Sequence, residues 1–108
     1  MMSWLMLAGA IAAEVTATLS LRASEGFSRL GFTALVVVGY ATAFGLLAAI
    51  LQRGMPVGVA YGIWAASGVA IVALLGHVIF GEALTVPMVA GIGLIVVGVL
   101  LVEFGRAA

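Results

Sequence analysis

The chain has 108 residues, 66% of them hydrophobic and 7% charged, with four Arg, no Lys, four Glu, no Asp and a formal net charge of zero. A water-facing surface needs about a quarter charged residues, so a soluble globular enzyme is excluded. The absence of a basic patch excludes a nucleic-acid binder, and the absence of Cys excludes a disulfide scaffold or a thiolate metal site.

The few charges are spaced like punctuation. One charge, Glu14, falls between Met1 and Leu21; 23 uncharged residues separate Arg29 from Arg53, 28 separate Arg53 from Glu82, and 20 separate Glu82 from Glu103. About 20 apolar residues cross a hydrocarbon core of about 30 Å, so each interval fits one crossing. The spacing predicts an all-α membrane protein whose four transmembrane helices, in a single domain over 1–108, cover Met2–Leu21, Leu30–Leu51, Val57–Ile79 and Pro87–Phe104. The first segment is not a secretory signal, because it lacks a positive start and carries a carboxylate in its middle.

The connections RASEGFSR, QRGMP and GEALTV are short and hold Gly or Pro, so neighbouring helices run antiparallel. Pro87 suits a first helical turn, where its missing N–H needs no partner. Four helices with 15 Gly are too few to wall off a solute path, which points to a dimer. Gly91 and Gly98 share a face of the fourth helix two turns apart, where small residues let helices approach closely in lipid. Packing within the chain is the alternative use of that face.

An even number of crossings puts both termini and the second loop on one side. That side holds Arg53 and Arg106, and the other holds Arg22 and Arg29. The positive-inside rule therefore selects neither orientation. One reading is a weakly signalled single orientation; the sharper one is dual topology, with inverted protomers pairing as an antiparallel homodimer around one site.

Glu14 lies mid-segment in AGAIAAEVTATLSL with no Lys or Arg inside its helix. An acidic residue at that depth disfavours insertion by about 3 kcal/mol, and such residues mark proton relays or substrate sites. A carboxylate there can hold either a proton or a cation; the structural alternative is a protonated carboxyl bonded to another helix. Ala10, Ala17 and Thr18 stand at i−4, i+3 and i+4 on its face. The alanines fit a cavity or tight packing, and Thr18 brings a hydroxyl within reach of the carboxylate.

Tyr40 and Phe44 are spaced i, i+4 on the second helix, and Tyr61 and Trp64 i, i+3 on the third. Trp4 fits an interfacial belt, whereas Tyr40 sits near mid-depth, where its phenol needs a partner, and Trp64 lies deeper than a belt reaches. Aromatic faces attract organic cations by roughly 0.5–2 kcal/mol each. A carboxylate with aromatic walls suits a bulky, weakly hydrated cation; core packing serves Phe44 equally well. His77 falls at the end of its helix and reads as interfacial or packing. No residue pattern calls for a metal or cofactor.

These residues resemble the small multidrug resistance transporters over essentially the whole chain. AEVTATLSLRASEGFSRL is similar to that family's first helix and loop, with Glu14 at its membrane-embedded glutamate. PVGVAYGIWAASG resembles the third-helix motif through Tyr61, Trp64 and Gly68, and GxxLIxxGVxL from Gly91 to Leu101 resembles the fourth-helix dimerisation segment. The resemblance implies proton-coupled antiport by an antiparallel homodimer in the bacterial inner membrane, protons and cationic substrate competing for paired Glu14 carboxylates. It implies substrate contacts at Thr18, Tyr40, Phe44, Tyr61 and Trp64, flexing at Gly68, and dimer contact at Gly91 and Gly98. Guanidinium exporters of the family carry a Trp where this chain has Thr16, so Thr18, Tyr40 and Phe44 align it with exporters of quaternary ammonium drugs. The chain departs from the family at Ala66-Ser67-Gly68, where a Gly-x-Gly kink is usual, and has Arg22 where a Lys is usual.

Three other readings stay on the table. Guanidinium, polyamine or metabolite export is the alternative within the family. A rotary-ring proteolipid also centres on one membrane carboxylate, but it has no use for Tyr and Trp walls. A non-transporting accessory subunit would need Glu14 for assembly only.

Overall fold

The computed structural model describes residues 2–107, and the side chains of 2–105. Among the described residues are four α-helices: α1 (Met2–Ala23), α2 (Leu30–Gln52), α3 (Val57–Phe80) and α4 (Val86–Ala107). All four are long and apolar enough to cross a membrane. Helices are what such segments must form, because lipid offers no partner to an unpaired backbone N–H or C=O. At 1.5 Å per residue, 22 residues span about 33 Å, enough for one crossing.

The first three helices start where the sequence expectation put them, α4 starts one residue earlier, and all four run one to three residues further at their C-terminal ends. α1 runs past Leu21 to Ala23, so Arg22 occupies its last turn rather than the loop. A cation there complements the helix dipole. The turn beyond is built on Ser24, which is fully buried. Its Oγ donates to Leu21 O (2.8 Å) and accepts from Phe27 N–H (3.1 Å), while its carbonyl accepts from Arg29 N–H (3.0 Å). Glu25, Gly26 and Phe27 all have left-handed backbones, φ 50°, 72° and 69°. Only Gly26 adopts that conformation without a steric penalty.

The chain divides into two compact units, one ending at Met55 and the other beginning at Pro56. In the first, α1 packs on α2 as a hairpin. At its open end Arg53 Nε donates to Ser3 Oγ at 3.2 Å. At mid-height the helices approach so closely that a Cβ on Gly39 would lie 2.8 Å from Ala17 Cβ and 3.0 Å from Ala13 O. Ala10 and Ala17 are fully buried. This corrects the cavity reading of Ala17: its methyl is the surface on which α2 rests.

In the second unit α3 packs on α4. α3 stays α-helical through Ala66, Ser67 and Gly68, with Gly68 buried. It ends one residue later than expected, at the left-handed Gly81 (φ 67°), whose N–H donates to His77 O at 3.1 Å. His77 Nδ1 donates to Glu82 O at 2.8 Å. The carbonyl can only accept, so Nδ1 carries the proton. His77 is exposed and holds the turn. α4 begins one residue before Pro87 because Thr85 caps it: Thr85 Oγ1 accepts from Met88 N–H (3.4 Å) and Thr85 N–H points back at Met88 Sδ (3.5 Å), a capping box with sulfur in the acceptor role. Along α4 Ile92, Ile95 and Val99 form a half-buried stripe, while large apolar side chains such as Val89, Leu94, Val97, Leu101 and Phe104 are exposed, as on a lipid-facing span.

Candidate functional site

Glu14 lies in the middle of α1, partly buried, with small or apolar residues on either side. Its two oxygens differ. Thr18, one turn on, donates from Oγ1 to Oε1 at 2.9 Å. Oε2 is buried and has no hydrogen-bond partner among the described residues. A buried carboxylate oxygen with no donor is unfavourable on its own, and an oxygen in that position can accept a proton or sit against a cation.

α2 completes the group. Tyr40 OH lies 2.7 Å from Thr18 Oγ1, supplying the partner that a phenol at mid-depth requires. Direction follows from counting protons. A threonine hydroxyl has one hydrogen; while Glu14 is ionised that hydrogen goes to Oε1, so Tyr40 is the donor to Thr18. A proton on Oε1 reverses the chain, with Glu14 donating to Thr18 and Thr18 free to donate to Tyr40. The charge state of Glu14 is thereby communicated to a phenol on the neighbouring helix. Thr16 stays out of the group, since its Oγ1 donates to Ala12 O at 2.8 Å and the residue is exposed.

The remaining expected residues divide by unit. Phe44, one turn beyond Tyr40, exposes 55% of its surface. In the second unit Tyr61 and Trp64 meet edge to face, centroids 5.5 Å apart at 72°. Trp64 is buried and Tyr61 exposed. Gly91 and Gly98 face open space, for a Cβ on either would meet no atom within 4 Å. Sequence reasoning does not reach Gly39. Its only signal is a glycine beside Tyr40 in the β-branched run VVVGY, and its role depends on what α1 places opposite it. Among the described residues no group of His, Asp or Glu is arranged to hold a metal ion.

The sequence pattern of the family described as Small Multidrug Resistance protein matches residues 2–95. A multidrug transporter of Pseudomonas aeruginosa is 46% identical over 109 aligned residues, covering 100% of this chain and 98% of its own. The multidrug resistance protein Mmr of Mycobacterium tuberculosis is 44% identical over 106 residues, with 98% and 99% covered. The quaternary ammonium compound-resistance protein QacE of Escherichia coli is 42% identical over 103 residues, with 95% and 93% covered.

Proposed function

The chain belongs to the small multidrug resistance family, a multi-pass protein of the bacterial inner membrane, and on that premise we propose that it exports lipophilic quaternary-ammonium cations in exchange for protons, both competing for Glu14. The observation that carries this reading is the buried Oε2 of Glu14, which has no hydrogen-bond partner among the described residues. An organic cation beside it gains charge attraction in a medium of low dielectric. A proton on the same carboxyl removes that attraction. Loading and protonation are therefore mutually exclusive at one carboxylate, the condition for exchange. Energy stored as a proton gradient then drives export: protonation from the outer side releases the cation there, and deprotonation on the inner side permits reloading.

Aromatic faces supply the remaining affinity, each contact worth about 0.5–2 kcal/mol. The proposal gives that role to Tyr40, Phe44, Tyr61 and Trp64, and gives Gly68 the bending of α3 between states. The unit of function is an antiparallel homodimer joined through the Gly91 and Gly98 face of α4, supported by the balanced arginines and by the open space beside both glycines. The quaternary cation is preferred over guanidinium because Thr16 is exposed and tied to its own backbone.

The test is binding of tetraphenylphosphonium to detergent-purified protein across roughly pH 5 to 9. Binding strengthens as pH rises, since proton loss exposes the carboxylate charge, and is lost in Glu14→Gln. Binding that is indifferent to pH, or retained by Glu14→Gln, overturns the reading. Guanidinium binding without tetraphenylphosphonium binding assigns the chain to the other export subtype.

A further inference from the structure

We propose that Gly39 is a positioning residue of the cation site: it sets the α1–α2 separation at which Tyr40 reaches Thr18, and through that pair it fixes the Glu14 carboxylate with Oε2 open. The inference rests on the reading of Glu14 as the cation and proton site. It adds a residue that touches neither.

The geometry is local and rigid. A Cβ on Gly39 would stand 2.8 Å from Ala17 Cβ, 3.0 Å from Ala13 O and 3.3 Å from Ala17 Cα. Carbon atoms rest about 3.5–4.0 Å apart, and none of these three atoms can rotate away: two are backbone and the third is a methyl fixed to it. Even the smallest side chain therefore pushes α2 off α1 by on the order of 1 Å. The residues that feel this first are the next along each helix, Thr18 after Ala17 and Tyr40 after Gly39. Their hydrogen bond is 2.7 Å long, and lengthening it by about 1 Å takes it past the range of a hydrogen bond. Tyr40 then no longer donates to Thr18, and Thr18 loses the partner that holds its own hydrogen on Oε1.

General looseness of α2 does not explain this glycine. Gly31 and Gly45 on the same helix have nothing within 4 Å of a built Cβ. Glycine is a poor helix former, and of these three only position 39 has a contact that demands it.

The experiment compares tetraphenylphosphonium binding to full-length purified wild type, Gly39→Ala, Ala17→Gly, the Gly39→Ala/Ala17→Gly pair, Tyr40→Phe and Tyr40→Phe/Gly39→Ala. Gly39→Ala weakens binding roughly fivefold, as Tyr40→Phe does, the scale of the one neutral hydrogen bond through which both act. Ala17→Gly removes the nearest clash and restores most of that loss in the pair. In the Tyr40→Phe background, where the bond is already absent, Gly39→Ala adds less than about twofold, because mutations acting through one interaction do not add. A Gly39→Ala protein that binds like wild type overturns the inference, as does a loss that multiplies in full with that of Tyr40→Phe. If Gly39→Ala alone does not fold, the pair decides: wild-type-like binding sustains the inference and roughly fivefold weaker binding overturns it. If wild type binds no cation, the site reading fails instead. The inference is then judged by the ¹³Cζ tyrosine NMR signal of Tyr40, which must shift in Gly39→Ala and return in the pair.

Discussion

Tyr40 on α2 and Thr18 on α1, 22 positions apart in the chain, share a 2.7 Å hydrogen bond whose far end is Glu14, 2.9 Å from Thr18. One hydroxyl thus links the membrane carboxylate to a phenol on a different helix. Because that hydroxyl has a single hydrogen, the chain has one direction when Glu14 is charged and the opposite one when Oε1 is protonated.

Replacing Thr18 tests that link. Thr18→Val keeps the shape and strands both Glu14 Oε1 and Tyr40 OH, each worth about 1–3 kcal/mol when left unsatisfied. Thr18→Ser keeps the hydroxyl. The expected outcome is a lower melting temperature and weaker tetraphenylphosphonium binding for Val, with Ser near wild type. Equal losses in the two variants would refute the hydrogen-bond role.

Tyr40→Phe retains the ring and removes the donor. Cation binding falls roughly fivefold, one hydrogen bond of about 1 kcal/mol, while helicity by circular dichroism is unchanged. If Tyr40 acts through its ring face alone, Phe binds as well as Tyr.

The Trp64 face is expected to contribute through attraction of the cation. Trp64→Ala weakens binding roughly 2- to 30-fold, the equivalent of about 0.5–2 kcal/mol, and Trp64→Phe recovers part of it. Titration calorimetry reads the difference. An unaltered affinity in Trp64→Ala removes this residue from the site.

Two positions at the α3–α4 turn test packing apart from transport. Gly81 is left-handed at φ 67°, so Gly81→Ala destabilises by about 1–2 kcal/mol. A Cβ on Gly76 would meet only the Glu82 carboxylate, the far end of a flexible side chain that can swing aside, so Gly76→Ala leaves thermal stability unchanged or slightly raised, alanine being the better helix former. Thermal unfolding in detergent measures both, and a marked drop for Gly76→Ala would show that the Glu82 side chain cannot move aside.

Orientation follows from arginine balance. A C-terminal tag is expected on both sides of the membrane, and Ser28→Lys in the first loop tips the population by adding one positive charge to that side. A tag found on one side only in the wild type argues for fixed orientation.

The sequence by itself determined the four crossings, the short turns, the carboxylate at mid-membrane and the aromatic residues near it in depth. These are one-dimensional properties. Charge spacing measures hydrocarbon thickness directly, and an acidic residue in an apolar run stands out without knowledge of its neighbours. Even so, Ala17 read as readily as a cavity wall as a packing surface, and Gly39 carried no mark. Only the tertiary structure decided that Ala13 and Ala17 meet Gly39, that Thr18 serves Oε1 and Tyr40 together, and that Oε2 has no donor among the described residues. The reason is that α1 and α2 are apolar on nearly every side, as lipid demands, so no polar face records how one helix is rotated and set in height against the other. That register comes from the fit of small residues at close approach, and it exists only once both helices are packed.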